Sequence, residues 1–205
     1  MSVVAREQME VVAGALAPCD LVPREAELAL VEAFGTEAVV AYRYDALERE
    51  RRAAEGMPPL TRPDVLNLLM SLPLGEPVPI GSLSVREGRV LKSLPKGAAV
   101  RRDGSITRRA AQPVHIDMAF VPGRSWESAM EMAELFTPFC SRAVVVDGAL
   151  RRKDDAVMRA DFFGIGLLTL QADTVEVVVP PRPFVRRRHT VAGWKFLEDL
   201  HRQLP

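Results

Sequence analysis

The largest excess of basic over acidic side chains in this sequence lies between residues 84 and 109. This segment carries 8 basic and 2 acidic residues, in a chain whose formal net charge is +0. Guanidinium and ammonium groups form charge-assisted hydrogen bonds to phosphate oxygens, so such a segment favours a polyanionic partner. The alternative is a solvated surface face. The residues we expect to contact phosphates are Arg86, Arg89, Lys92, Arg101, Arg102, Arg108 and Arg109.

A second basic cluster comes near the end of the chain. Arg186, Arg187 and Arg188 are consecutive, and residues 181–205 carry 6 basic and 2 acidic side chains. By contrast, residues 1–60 carry 6 basic and 11 acidic side chains. This separation of charge makes the 186–188 cluster a further candidate for phosphate binding, with a solvated surface as the alternative.

One acidic residue, Asp117, stands inside a predicted strand. In residues 113–121 the apolar residues alternate with His115 and Asp117, which places these two side chains on one face of the strand. A strand carboxylate can hold a divalent cation, and it can equally pair with a neighbouring arginine; we expect His115 to be structural or exposed. Cys19 and Cys140 belong to no metal-binding spacing, which favours a reducing, cytoplasmic location.

The first 59 residues predict helices and one strand. Residues 3–16 predict a helix with Val4, Val11, Val12 and Ala15 on one side, and residues 24–34 predict a second helix that ends at Gly35. Residues 37–44 predict a strand, and residues 46–56 a charged, exposed helix. Arg6, Glu7 and Glu10 interrupt any apolar signal-peptide core, and no apolar run is long enough to span a bilayer, so no membrane partner is expected.

Residues 60–112 predict a different module. A short helix over 61–72, with Thr61 as its cap, is followed by an irregular connection over 74–83 and a helix capped by Ser84. A β-hairpin then turns at Asp103-Gly104, because Asp-Gly suits a two-residue hairpin loop. Helices followed by a basic hairpin resemble a winged helix-turn-helix module. That resemblance implies DNA binding, with 84–94 as the groove helix and 101–109 as the wing.

Residues 113–205 predict alternating strands and helices. After the Asp117 strand come a helix capped by Ser125, a buried strand over 142–148, a helix opened by Asp154 and Asp155, and a hairpin with a short turn at 171–174. Thr190 caps a last helix. Trp126 and Trp194 lie on apolar stripes and are predicted to anchor the core; the stripe of the last helix is equally compatible with a homodimer interface.

The order of these elements is similar to the PD-(D/E)xK restriction-endonuclease-like superfamily, an α/β fold with a mixed sheet flanked by helices. The resemblance covers residues 24–45 and 114–181, with 60–112 as an insert. It implies that Asp117-Met118-Ala119 occupies the (D/E)xK position, with Asp45 and Glu27 as further acids for Mg²⁺. Pro63-Asp64 spells the PD pair but falls on a helix of the insert. Ala119 stands where the family has its lysine, so the resemblance implies a core without catalysis.

The sequence therefore predicts a protein that binds double-stranded DNA and takes part in transcription regulation or DNA maintenance, with no cofactor. Two alternatives remain open. One is a Mg²⁺-dependent endonuclease with a relocated lysine, and the other is a protein-interaction module whose basic segments serve solubility.

Overall fold

A computed structural model describes residues 3–171 and 174–205, and of residues 3–9 the backbone only. The chain divides into two compact units. The first contains the residues up to Arg43, Ile116–Arg187 and Gln203–Pro205, and the second contains Tyr44–His115 and Arg188–Arg202. The protein is a mixed α/β structure whose described residues form a six-stranded sheet, a three-stranded sheet and seven α-helices. Among them, no helix is both long enough and apolar enough to cross a membrane.

The elements of the first unit are α1 (Val3–Leu16), β1 (Glu27–Ala33), β2 (Thr36–Tyr44), β6 (Val114–Gly123), α5 (Trp126–Glu134), β7 (Ser141–Asp147), α6 (Lys153–Phe163), β8 (Gly166–Gln171) and β9 (Thr174–Val179). Those of the second unit are α2 (Ala46–Glu55), α3 (Pro63–Ser71), β3 (Pro77–Pro79), α4 (Val85–Leu91), β4 (Ala99–Arg102), β5 (Ser105–Arg108) and α7 (Val191–His201). The ends of β2 and β6 extend into the second unit.

The six-stranded sheet has the order β1-β2-β6-β7-β8-β9. Strands β6, β7 and β8 run parallel, whereas the β1-β2 and β8-β9 pairs are antiparallel. The predicted strands at 114–121 and 142–148 and the hairpin at 166–179 are confirmed. The continuous apolar run of β7 suits a parallel strand that is covered on both faces. Residues 172 and 173 of the predicted turn lie outside the described residues.

Helices cover both faces of this sheet. On one face, Val12 and Leu16 of α1 pack against Phe120, Ala143 and Val145. Helices α5 and α6 connect strands that are adjacent in the sheet and follow one another in the same direction, so right-handed crossovers place both on one face. That face is opposite to α1, because a Cβ at Gly123, which points away from the Phe120 side of β6, would meet Ala129 of α5 at 2.7 Å. The predicted core role of Trp126 is confirmed, since its side chain is only 3% exposed.

The helix predicted over 24–34 is wrong, because Glu27–Ala33 is a strand paired with β2. Leu28, Val31 and Phe34 have helical spacing, but Phe34 and Gly35 take positive φ angles of 56° and 74° and turn the chain into a hairpin. The helix over 3–16 is confirmed.

Of the predicted α1 stripe, Val12 and Ala15 are buried and Val11 is 42% exposed, while the side chain of Val4 lies outside the described residues.

In the second unit, the three-stranded sheet has the order β3-β5-β4, and all its pairs are antiparallel. Two apolar clusters hold it to the helices. Leu66 and Leu69 of α3 pack with Trp194 of α7, and Leu68 packs with Leu91 of α4 and Ile106 of β5. Trp194 is a core residue as predicted, and Leu197 of the same α7 stripe is also fully buried.

Most of the local predictions for residues 60–112 are confirmed, and two are wrong. The Ser84 cap and the Asp103-Gly104 turn are present. The connection predicted to be irregular contains β3 and a single 3-10 turn at Ile80–Ser82, and the cap of α3 is Arg62 rather than Thr61. The second unit is also larger than the predicted insert, because it includes α2 and α7.

Candidate nucleic-acid interface

Helix α4 presents a basic face to solvent. Ser84 caps it by accepting a hydrogen bond from the Glu87 backbone N–H, and Leu91 is buried on its inner side. Arg86, Arg89 and Lys92 follow one another at intervals of three, which places them together on the side away from Leu91. All three are exposed, and within the described residues none forms an ion pair.

The beginning of α4 is tied to α3. The Glu87 carboxylate accepts hydrogen bonds from the Ser84 backbone N–H at 2.9 Å, from Ser84 Oγ at 2.7 Å and from Ser71 Oγ of α3 at 3.0 Å. These bonds from Ser84 and Ser71 lower the pKa of the Glu87 carboxyl. The orientation of the exposed face is therefore set by a polar cluster as well as by apolar packing.

The β4-β5 hairpin lies beside the end of α4. Arg101 is paired with buried Ile106, so both side chains share the inner face, and the Arg101 guanidinium donates to the Leu91 carbonyl at the end of α4. Arg102 points to the other face, where its side chain is 87% exposed and its nearest acid is Asp103 at 3.3 Å. Arg101 thus joins the hairpin to α4, and Arg102 is the more accessible cation.

Arg108 does not lie on an exposed wing. It is half-buried, donating to the Ala110 carbonyl at 2.8 Å and to the Leu69 carbonyl at the end of α3 at 3.0 Å. Its guanidinium lies 4.6 Å from the ring centroid of Trp194. Arg109 remains partly exposed but pairs with Glu55 at 3.2 Å. The available basic surface is therefore smaller than the sequence indicated.

The 186–188 cluster is divided between the two units. Arg186 and Arg187 belong to the first unit and Arg188 to the second. The Arg186 guanidinium lies 5.9 Å from the Phe184 ring centroid, whereas Arg187 and Arg188 are exposed.

The acidic candidates all have structural partners. Both carboxylate oxygens of Asp117 accept hydrogen bonds from Arg43, at 2.8 and 2.7 Å. Glu27 lies on β1 rather than on a helix, and its carboxylate accepts a hydrogen bond from the Tyr42 hydroxyl. Asp45 belongs to the second unit and caps α2. Within the described part of the chain, no three His, Cys, Asp or Glu side chains group as metal ligands.

The structure also contains a buried ionic network that the sequence did not indicate. Arg52 donates to Glu48 at 2.7 Å and to both carboxylate oxygens of Glu198 at 2.7 and 2.8 Å. Glu198 is fully buried, and it also accepts from the Leu60 N–H and from Trp194 Nε1. Helix α2, predicted to be exposed, is thus joined to α7 through charged side chains.

Burial alone would raise the pKa of the Glu48 carboxyl, but hydrogen bonds from Arg51 and Arg52 outweigh burial and lower it. Burial raises the pKa of the Cys140 thiol to about 12, which keeps this thiol protonated and makes it a poor nucleophile.

A further residue that sequence reasoning missed is Val85, the first residue of α4. Its side chain is 76% exposed beside Arg86 and Arg89. The signal that could have identified it is its place directly after the Ser84 cap, on a different side of the helix from Leu91. Comparisons with protein-family models, curated proteins and solved structures find no match for this chain.

Proposed function

We propose that this chain is a double-stranded DNA-binding protein whose second unit acts as a winged-helix module. The observation that carries the proposal is the exposed basic face of α4, formed by Arg86, Arg89 and Lys92 next to the β4-β5 hairpin. Three cations on one side of a helix suit the phosphate-lined major groove of B-DNA.

The arrangement around α4 supports this proposal. Helix α3, strand β3, the 3-10 turn, helix α4 and strands β4 and β5 follow in the order helix, strand, helical turn, helix, strand, strand. Strand β3 pairs with β5 and not with β4, the next strand in sequence, as in a winged helix-turn-helix. In this proposal α4 is the groove helix, and Arg102 near the hairpin tip contacts the DNA backbone.

For the first unit we propose a restriction-endonuclease-like core without catalysis. The order α1, β1, β2, β6, α5, β7 supports the likeness. The support for the missing activity is the Arg43 guanidinium, which takes up both oxygens of Asp117 where a nuclease would hold Mg²⁺, together with Ala119 at the lysine position. Such a protein suits transcription regulation or DNA maintenance.

The test is a fluorescence-anisotropy titration of duplex DNA at several salt concentrations, with and without Mg²⁺. We expect the logarithm of the binding constant to fall linearly with the logarithm of salt concentration, and no DNA cleavage. Replacing Arg86 and Arg89 by Gln should reduce the salt slope by about 0.9 for each phosphate that the variant no longer neutralises.

The matched control replaces Arg151 and Lys153 by Gln, because both are exposed in the first unit and the loss of charge is the same. Equal affinity losses in the two double variants would contradict the assignment of the interface to α4. Absence of salt-sensitive binding would support a protein-interaction module instead. Mg²⁺-dependent cleavage that disappears in Asp117→Ala would establish the endonuclease alternative.

A further inference from the structure

The exposed face of α4 contains one apolar side chain among its cations. Val85 is 76% exposed, although it belongs to the same short helix as buried Leu91. Neither of the apolar clusters of the second unit includes Val85. Packing within the chain therefore gives no reason for an apolar side chain at this position.

Helix propensity gives no reason either. Valine has a lower intrinsic helix propensity than alanine, lysine, arginine and glutamate, so valine at this position does not strengthen the helix. Arg86 and Arg89 lie next to Val85 on α4, and the proposed function assigns both arginines to the DNA groove. A ligand that meets these arginines also meets the Val85 methyl groups.

The chemistry of the groove then limits what Val85 can recognise. The base edges in the major groove present hydrogen-bond donors and acceptors, and the apolar group that distinguishes one base is the 5-methyl of thymine. RNA lacks this methyl group, and its deep, narrow major groove does not admit a helix. We propose that Val85 contacts a thymine methyl group and makes the chain selective for thymine at one position of its DNA site.

This inference rests on the proposed function and can fail separately from it. The experiment first selects a preferred duplex from a random library with the wild-type chain. The same duplex is then synthesised with deoxyuridine in place of thymidine, first at every position and then one position at a time. Deoxyuridine keeps the pairing edge and removes only the methyl group, so any change in affinity reports on that group.

We expect the wild-type chain to bind the deoxyuridine duplex about four-fold more weakly, which is the contribution of about one buried methyl group. The loss should map to one position. In Val85→Ala, which removes the two γ-methyl groups and keeps Cβ, the ratio of the two affinities should fall toward one. Because Val85 is exposed and alanine favours helix, this variant should fold normally.

The matched control is Val100→Ala, which removes the same atoms from a partly exposed valine on strand β4 of the same unit. It should keep the wild-type ratio. Equal affinities of the wild-type chain for the two duplexes, or an unchanged ratio in Val85→Ala, would overturn the inference while leaving DNA binding intact. If no duplex is bound in a salt-dependent manner, the proposed function itself fails.

Discussion

Replacing Arg52 by Leu should lower the free energy of unfolding of the second unit more than the loss of any other single positive charge in that unit. Arg52 is 5% exposed and donates four hydrogen bonds, to Glu48, to both oxygens of Glu198 and to the Ala111 carbonyl. Leucine keeps much of the apolar volume, so the change mainly removes the charge and its hydrogen bonds.

The size of the expected loss of stability follows from the hydrogen-bond donors that Glu198 keeps. Without Arg52, the fully buried Glu198 keeps two neutral donors among the described residues, the Leu60 N–H at 3.0 Å and Trp194 Nε1 at 2.9 Å. Removing one partner of a buried ion pair typically costs about 3–5 kcal/mol, because a charge is left buried without compensation. Glu48 is less affected, since it keeps Arg51 and the Ala111 N–H.

Urea denaturation followed by circular dichroism measures the change in the free energy of unfolding. Hydrogen exchange of the Leu60 amide reports the same loss locally, and its protection should fall by roughly two to four decades. The matched control is Arg49→Leu on the same helix, where the guanidinium is exposed and stacks on Tyr44, 4.0 Å from the ring centroid. That control should cost about 1 kcal/mol or less.

A cost for Arg52→Leu equal to that of Arg49→Leu would refute the reasoning. The double variant with Glu198→Leu gives a second check. Because it removes both charges, it should cost less than the sum of the two single variants.

Three further outcomes follow from the structure. Arg102→Gln should reduce the salt slope of DNA binding by about 0.9. Arg101→Gln loses the hydrogen bond from the guanidinium to the Leu91 carbonyl of α4, and it should instead reduce the ratio of specific to non-specific affinity. Trp126→Ala should lower the free energy of unfolding by roughly 3–5 kcal/mol, as measured by urea denaturation, because its buried indole ring also donates to the Arg151 carbonyl. Burial, followed by the nearby Arg52 charge, lowers the pKa of His201. As the pH falls, His201 therefore binds a proton in the unfolded chain before it does so in the folded chain. The melting temperature should fall as the pH drops below about 6.5, and it should fall less in His201→Gln.

The sequence alone determined the features that depend on neighbouring residues. Asp103-Gly104 specifies a tight hairpin because both positions accept a positive φ, and Ser84, Ser125 and Thr190 each cap the helix that follows. The strand over 114–121 was also predictable because its apolar and polar residues alternate, and the strand over 142–148 because its short apolar run is rich in β-branched valine. These signals act over a few residues and depend little on distant partners.

Tertiary structure decided what depends on distant partners. Residues 27–33 carry patterns that suit a helix or a strand, and pairing with β2 selected the strand. Arg52 and Glu198 are separated by 146 positions, so nothing local shows that both are buried together. Arg108 resembles its neighbours in the basic hairpin, yet the end of α3 and the Trp194 ring take up its guanidinium. A buried charge is tolerated only where the fold supplies its partners, and those partners come from parts of the chain that meet only after folding.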